Sequence, residues 1–301
     1  MPACWYAQTK LNNNHPVAYS IPATEHSIMT AHVNEKQAMI KLLNEFGSGV
    51  CACVMDSYDY TNALEKVLPS IAKLKVEKGG FLVLRPDSGD PVQVILEGLE
   101  ACNMVFGSDL NAKGYKVLRG VGLIQGDGIN ITVLKQIARA VNDAGYSAQN
   151  VAYGMGGGLL QVCFVFTQKV NRDTMQFATK LSLIVDIDGK IRNVMKNPKT
   201  AKWKRSLPGE LSVVMRGGLP YVIPFENLGN EVDMLQVVYD SGRQSNSWRD
   251  FQQVRDAVTQ HWNSAPKLHD PISEDLRNKM EQVVAAQDTE NAHVYDEEIN
   301  S

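Results

Sequence analysis

The sequence predicts an α/β protein, an incomplete β/α barrel followed by a smaller part containing antiparallel β-structure. Three observations point there. Up to residue 177, short apolar runs alternate with stretches of helical periodicity. Every one of those runs ends in a polar or glycine-rich segment. Beyond residue 177 the alternation stops, and short runs face each other across turn residues.

Val17–Ile21 reads as a first strand. Glu35–Phe46 follows with Ala38, Met39, Leu42, Leu43 and Phe46 at helical spacing, closed by Gly47. Val50–Met55 is a continuous apolar run, as expected for a strand buried on both faces. Tyr60–Leu68 reads as a helix stopped by Pro69. Phe81–Leu84 is the next strand, and Pro91 suits the first turn of a helix reaching Cys102. Val121–Ile124, a helix over Ile131–Asp143 and a fifth strand at Val151–Tyr153 complete the series. Strand and helix at this rhythm imply parallel β/α units. A barrel keeps polar chemistry at the C-terminal end of every strand, whereas an open doubly wound sheet uses only its switch point. Five units do not close an eight-stranded barrel, so residues 1–177 are expected to form a partial one.

Residues 178–272 are expected to form the smaller part. Ala178–Asp186 and Lys190–Val194 read as a hairpin across Asp188-Gly189, with further strands at Leu211–Met215 and Leu219–Ile223 and a helix over Ser247–His261. Residues 273–301 are polar and acidic, and a loosely ordered tail is expected.

Composition removes several classes. The net charge is −3, so no global basic field draws the chain to nucleic acid or an anionic membrane. No apolar run approaches the about 20 residues of a spanning helix, and the N-terminus does not read as a signal peptide. Cys4, Cys51, Cys53, Cys102 and Cys163 are an odd, scattered set, which suggests reduced thiols and a cytoplasmic location. Cys51 and Cys53 have no second pair or His cluster nearby in sequence, which argues against zinc.

The strand ends carry the chemistry. Gly154-Met-Gly-Gly-Gly158 can present backbone N–H groups to a phosphate, or be a tight glycine turn. Arg85-Pro-Asp-Ser-Gly89 sets a cation and a carboxylate two residues apart, suited to phosphate and to ribose hydroxyls or magnesium; a structural Arg–Asp pair is the alternative. Gly126-Asp127-Gly128 offers a carboxylate between glycines, or an ordinary turn. His26 is a candidate for acid–base or phosphoryl chemistry as well as for a structural role. Lys196, Lys199, Lys202, Lys204 and Arg205 make a basic loop that could grip a diphosphate or simply be solvated. Together they describe a pocket for a sugar carrying more than one phosphate. His26, Arg85, Asp87 and Asp127 are expected in one cavity, with His26 exposed.

The strings Tyr19-Ser-Ile-Pro-Ala-Thr-Glu-His-Ser27, Asp56-Ser-Tyr-Asp59, Arg85-Pro-Asp-Ser-Gly89, Ile124-Gln-Gly-Asp-Gly128 and Gly156-Gly-Gly-Leu-Leu-Gln161 closely resemble the nicotinamide phosphoribosyltransferase family, in its order and near its spacing. The resemblance continues through Lys169–Asp173 and Lys196–Ser206. It implies a type II phosphoribosyltransferase fold, a homodimer, Mg2+, and transfer of phosphoribose from phosphoribosyl pyrophosphate to nicotinamide in NAD salvage. By the same resemblance His26 is the histidine phosphorylated by ATP, and Arg85 and Asp87 contact diphosphate, nicotinamide and ribose. Gly126 and Asp127 would meet the ribosyl group, Gly157 and Arg172 the 5′-phosphate, and Lys196 and Lys204 the phosphates.

Two departures accompany the resemblance. In the family, an aromatic that stacks on nicotinamide, an Arg and an Asp of the substrate site, and a Tyr donated by the other subunit precede the matching region. The 301 residues are therefore expected to be a C-terminal portion, with little turnover alone. Val162–Gln168 also intervenes between Leu-Leu-Gln161 and Lys169, displacing Arg172. The alternatives are a non-catalytic phosphate-binding or subunit-pairing fragment and a related nicotinate or quinolinate enzyme; the Pro-Ala-Thr-Glu-His string favours the nicotinamide branch.

Overall fold

The computed structural model describes residues 2–156, 178–199, 204–242, 249–264 and 269–296. The chain divides into two compact units, Met1–Lys180 with Lys196–Arg205, and Leu181–Met195 with Ser206–Ser301. The division differs from a break at residue 178, because the basic segment returns to the first unit. Its lysines meet carboxylates there, as described below.

The first unit opens with α1 (Pro2–Tyr6), extended by a wider turn over Ala7–Leu11. Then come α2 (His26–Ala31), α3 (Glu35–Phe46), β1 (Val50–Val54), the helical turns α4 (Tyr60–Asn62) and α5 (Leu68–Ser70), and α6 (Ala72–Lys78). They are followed by β2 (Phe81–Arg85), α7 (Pro91–Phe106), a small hairpin of β3 (Ser108–Leu110) and β4 (Lys116–Leu118), β5 (Val121–Gln125), α8 (Ile131–Asp143) and β6 (Val151–Tyr153). Strands β1, β2, β5 and β6 form one four-stranded sheet in that order, parallel throughout. The order rises without a reversal, so these four strands contain no topological switch point.

The helices start where their sequence allows. Asn34, Asp90 and Asn130 cap α3, α7 and α8 by accepting backbone N–H groups of the first turn, and Pro91 stands at the first turn of α7. Helix α3 buries Ala38, Met39, Leu42 and Leu43 and packs on β1. Helix α7 buries Val94, Ile95, Leu99 and Cys102 and lies against β5. Gly98 permits that approach, since a Cβ there would collide with the Leu123 side chain. The apolar run of β1 is buried from Cys51 to Val54, as its composition requires.

Two expectations for this unit fail. Val17–Ile21 is not a strand; Val17, Tyr19 and Ile21 are exposed, between Pro16 and Pro22. Proline supplies no N–H to a ladder, and only the bridge Ala23–Ala52 continues toward β1. Pro69 does not stop the helical path either. It lies in α5, which continues the wider helical turns over Ala63–Val67, and the break comes at Ile71.

The second unit contains β7 (Leu183–Val185) paired antiparallel with β8 (Ile191–Asn193), and β9 (Leu211–Arg216) paired antiparallel with β10 (Leu219–Pro224). Asp186 accepts the N–H groups of Asp188 and Lys190 to fix the first turn, while Gly217 and Gly218, both at positive φ, make the second. Helix α9 runs over Phe251–Ser264 rather than Ser247–His261, with residues 243–248 outside those described. The expected loose tail is instead largely helical, α10 (Glu274–Asp296). Ser273 Oγ accepts the Leu276 N–H at its start, and Leu276 and Val283, two turns apart, are buried. Among the described residues no helix is long and apolar enough to cross a membrane. Cys4, Cys51, Cys53 and Cys102 are free thiols, and Cys163 lies outside the described residues.

Candidate functional site

The parallel sheet delivers four polar segments to the C-terminal ends of its strands: Asp56–Asp59 after β1, Pro86–Gly89 after β2, Gly126–Gly128 after β5 and Gly154–Gly156 after β6. The segment Thr24–His26 joins them alongside β1. Its place is fixed by backbone bonds from Ala52 N to Pro22 O (2.9 Å) and from Thr24 N to Ala52 O (3.0 Å), and by Val54 N donating to Thr24 Oγ1 at 2.9 Å.

His26 stands at the centre. Its Nε2 lies 3.3 Å from Asp56 Oδ1, 2.9 Å from Lys196 Nζ and 3.9 Å from Asp87 Oδ2. One nitrogen cannot serve Lys196 and Asp56 alike. With the proton on Nε2 it donates to Asp56; with the proton on Nδ1 it accepts from Lys196. The arrangement therefore ties the tautomer to which neighbour holds the ring. The His26 side chain is only 12% exposed, so the expectation of an exposed histidine is corrected: the Asp56 loop and Lys196 cover it.

Asp56 is 1% exposed, a carboxylate set directly after a buried apolar strand. Ser88 Oγ donates to its other oxygen. Burial works to raise its pKa, but hydrogen bonds from His26 and Ser88 and the charges of His26 and Lys196 outweigh that and hold it below the ordinary value. Lys196 shows the reverse. Burial lowers its pKa, opposed by Asp56 and Asp87 and aided by Lys204 and Lys180.

Asp87 and Asp127 are linked by one cation. Lys204 Nζ donates to Asp87 O at 2.7 Å and lies 3.2 Å from Asp127 Oδ2. Lys196 and Lys204 thus both reach the strand ends although they are remote in sequence. Gln125 steadies the Asp127 turn, its Nε2 donating to Asp127 O at 3.1 Å, while its Oε1 is buried without a partner. Arg85 goes elsewhere: its guanidinium donates to Thr24 O at 3.3 Å and pairs with Glu25 at 3.4 Å, so the structural Arg–Asp pair with Asp87 does not form. Gly126 leaves open space, since a Cβ there would meet no atom within 4 Å. Gly128 needs glycine for its φ of 67°. Gly157, Arg172 and the interposed Val162–Gln168 lie outside the described residues.

Among the described residues no three His, Cys, Asp or Glu side chains converge as a metal cage. Asp87 and Asp127 retain exposed oxygen surface, which fits a magnesium ion that takes one or two protein carboxylates and completes its shell with phosphate and water.

Sequence spacing alone missed two participants. Ser88 and Asp56 sit inside the strings quoted above, but nothing in their spacing shows that they bind each other and the His26 ring. The basic segment is held by backbone bonds from Asn197 N to Ser57 O (3.4 Å) and from Lys199 N to Tyr58 O (2.8 Å), with Lys199 Nζ 2.7 Å from Asp59 Oδ2.

A family model described as the nicotinate phosphoribosyltransferase (NAPRTase) family matches residues 12–243. The nicotinamide phosphoribosyltransferase of Xanthomonas campestris pv. campestris (strain 8004) is 39% identical over 253 residues, covering 80% of this chain and 52% of that protein. Those of Mycoplasma pneumoniae and Acinetobacter baylyi are 32% and 31% identical, over 64% and 69% of this chain and 44% of each relative. The chain thus spans about half the length of the curated relatives it matches. On the extent of the family match, this chain belongs to the nicotinate phosphoribosyltransferase (NAPRTase) family.

Proposed function

We propose that this chain carries the phosphate and ribose end of a nicotinamide phosphoribosyltransferase site, which joins nicotinamide to phosphoribosyl pyrophosphate and releases pyrophosphate. The observation that carries the reading is the meeting of His26, Asp56, Asp87 and Lys196 at the strand ends, with Lys204 bridging Asp87 and Asp127. In such a transfer the bond from ribose C1 to the diphosphate oxygen breaks, and a bond from C1 to the pyridine nitrogen forms. Positive charge builds on the sugar and negative charge on the leaving group. Carboxylates near the ribose and amines near the diphosphate stabilise both. Asp87 and Asp127 suit the first task, Lys196 and Lys204 the second. Magnesium would arrive with the diphosphate, held by Asp87 or Asp127, and would neutralise part of the leaving charge.

His26 fits the ATP-coupled role. Its Nδ1 would attack the γ-phosphorus of ATP, forming an N–P bond as the bond to ADP breaks, and the Nε2 proton would leave through Asp56. Lys196 stands where it would offset the charge of the phosphorylated ring. We read the sheet as an arc of a type II phosphoribosyltransferase barrel, because its strand order rises without reversal. The homodimer, the cytoplasmic location and the roles of Gly157, Arg172, Gly126 and Arg85 rest on the family resemblance.

The test is nicotinamide mononucleotide formation from nicotinamide, phosphoribosyl pyrophosphate, Mg2+ and ATP. In a complete version of the enzyme, His26→Ala is expected to remove the stimulation by ATP while leaving some ATP-independent synthesis. An unchanged ATP effect would refute the assignment. Use of nicotinate in place of nicotinamide would move the chain to the other branch, and pyrophosphate binding without turnover by the complete version would leave only a phosphate-binding unit.

A further inference from the structure

Gln125 closes β5, and it is only 1% exposed. Alternation along the strand sets it on the same face as Val121 and Leu123, both buried. An apolar residue would continue that row. Glutamine instead carries an amide into it, and only half of the amide has a partner. Nε2 donates to Asp127 O at 3.1 Å, while Oε1 is buried and unbonded. An unpaired buried acceptor costs stability, so the bond made by the other half is what needs a reason.

That bond falls on the least constrained stretch at the strand ends. Asp127 stands between Gly126, where a Cβ would meet nothing within 4 Å, and Gly128, at a φ of 67°. Among the described residues no backbone-to-backbone hydrogen bond fixes Gly126, Asp127 or Gly128. Lys204 Nζ reaches the Asp127 carboxylate at 3.2 Å, but that side chain is 52% exposed, and such an ion pair fixes little. Gln125 itself is anchored. It pairs with Tyr153 in β6, and its carbonyl accepts the Gly154 N–H at 2.9 Å. One strand end therefore holds both the 126–128 turn and the start of the glycine segment after β6.

We propose that Gln125 is a positioning residue for the ribose end of the site: its side-chain amide, by holding Asp127 O, aims the Asp127 carboxylate at the sugar. Gln125 is too deeply buried to touch the sugar itself. The inference deepens the functional reading above and rests on it for the identity of the ligand.

The experiment compares the full chain with Gln125→Met, which matches glutamine in length and has no N–H to donate. Each is measured by nitrogen relaxation of residues 126–128, by urea midpoint, and by calorimetric titration with phosphoribosyl pyrophosphate and with pyrophosphate in the presence of Mg2+. The variant is expected to keep or raise the urea midpoint, since an idle buried acceptor is gone, while backbone order at Asp127 and Gly128 falls. Affinity for phosphoribosyl pyrophosphate should drop about tenfold, the effect of one lost hydrogen bond, and that for pyrophosphate, which has no sugar, less than about twofold. In an Asp127→Ala background the same substitution should change neither affinity, because its effect runs through Asp127. A merely structural glutamine would lower the urea midpoint and leave the ratio of the two affinities untouched, and that result overturns the proposal. So does unchanged order at residues 126–128, or an equal loss in the Asp127→Ala background. If Gln125→Met does not fold, Gln125→Asn, whose amide falls one methylene short of Asp127 O, carries the same comparison. If wild type binds neither probe, the functional reading fails, and the relaxation data still decide whether Gln125 orders the turn.

Discussion

Substitution of Glu35, the buried first residue of α3, by Gln makes a thermodynamic prediction that can be worked from its environment. The carboxyl titrates at 4.5 in an ordinary setting and at about 8 in the fold. Between those values the folded chain keeps a proton that the unfolded chain has lost, so stability must fall as pH rises. The contribution is fully present below 4.5, declines across the window and is flat above 8. Each pH unit costs about 1.4 kcal/mol, so the whole window amounts to about 5 kcal/mol, an upper figure because loop relaxation and water entry reduce it. Glutamine has no proton to take up, so the variant should lack this slope. Asp56 does not mimic the effect, since its depressed value places its own titration at acid pH, with stability lost as pH falls. The assay is urea denaturation at half-unit steps from pH 5 to 8.5, read by amide exchange in β1, which reports the first unit. A difference between wild type and variant that grows by several kcal/mol with pH is the expected result. Parallel stability curves would show that Glu35 is solvated or already ionised in the fold.

Two further substitutions test the packing around the site. Asp56→Asn removes the buried charge facing His26 and Lys196 and should cost about 2–4 kcal/mol, below the full cost of breaking a buried pair because Asp87 remains 3.9 Å from Lys196; a urea midpoint within error of wild type would contradict the burial of this cluster. Gly98→Ala offers about 1 kcal/mol of helix propensity, yet its methyl would press on Leu123 and lie 2.7 Å from Tyr60 Oη, which donates to Val94 O at 2.9 Å. A net loss of about 1–3 kcal/mol follows from overpacking, and a stabilised variant would mean that α7 can lift from β5 without penalty.

Much of the fold was readable because local signals agreed with tertiary need. The apolar run Cys51–Val54 is buried, as its composition suggested, and Pro91 stands in the first turn of its helix, as its fixed φ suits it to do. The failures have equally local causes. Val17–Ile21 alternates like a strand, but the flanking prolines deny it a ladder. Composition hid α10. Its charges dominate a count, while Leu276 and Val283 lie seven residues apart on one face, and that stripe decides whether it packs.

The site was legible as a set of segments and illegible as a circuit. Parallel strands had to bring residues 56, 87 and 127 to one end of the sheet, so their neighbourhood followed from rhythm alone. The contact between His26 and Lys196 spans 170 residues, and no local pattern encodes it. Glu35 shows the limit more sharply. In sequence it is an acid in the first turn of a helix, the least notable place for one. Only burial separates it from any surface glutamate. Asp56 is bonded to His26 and Ser88 and Asp59 is paired with Lys199, and among the described residues no cation pairs with the buried Glu35 carboxyl. The low-cost solution is to keep its proton, which is why its carboxyl is pushed up to about 8.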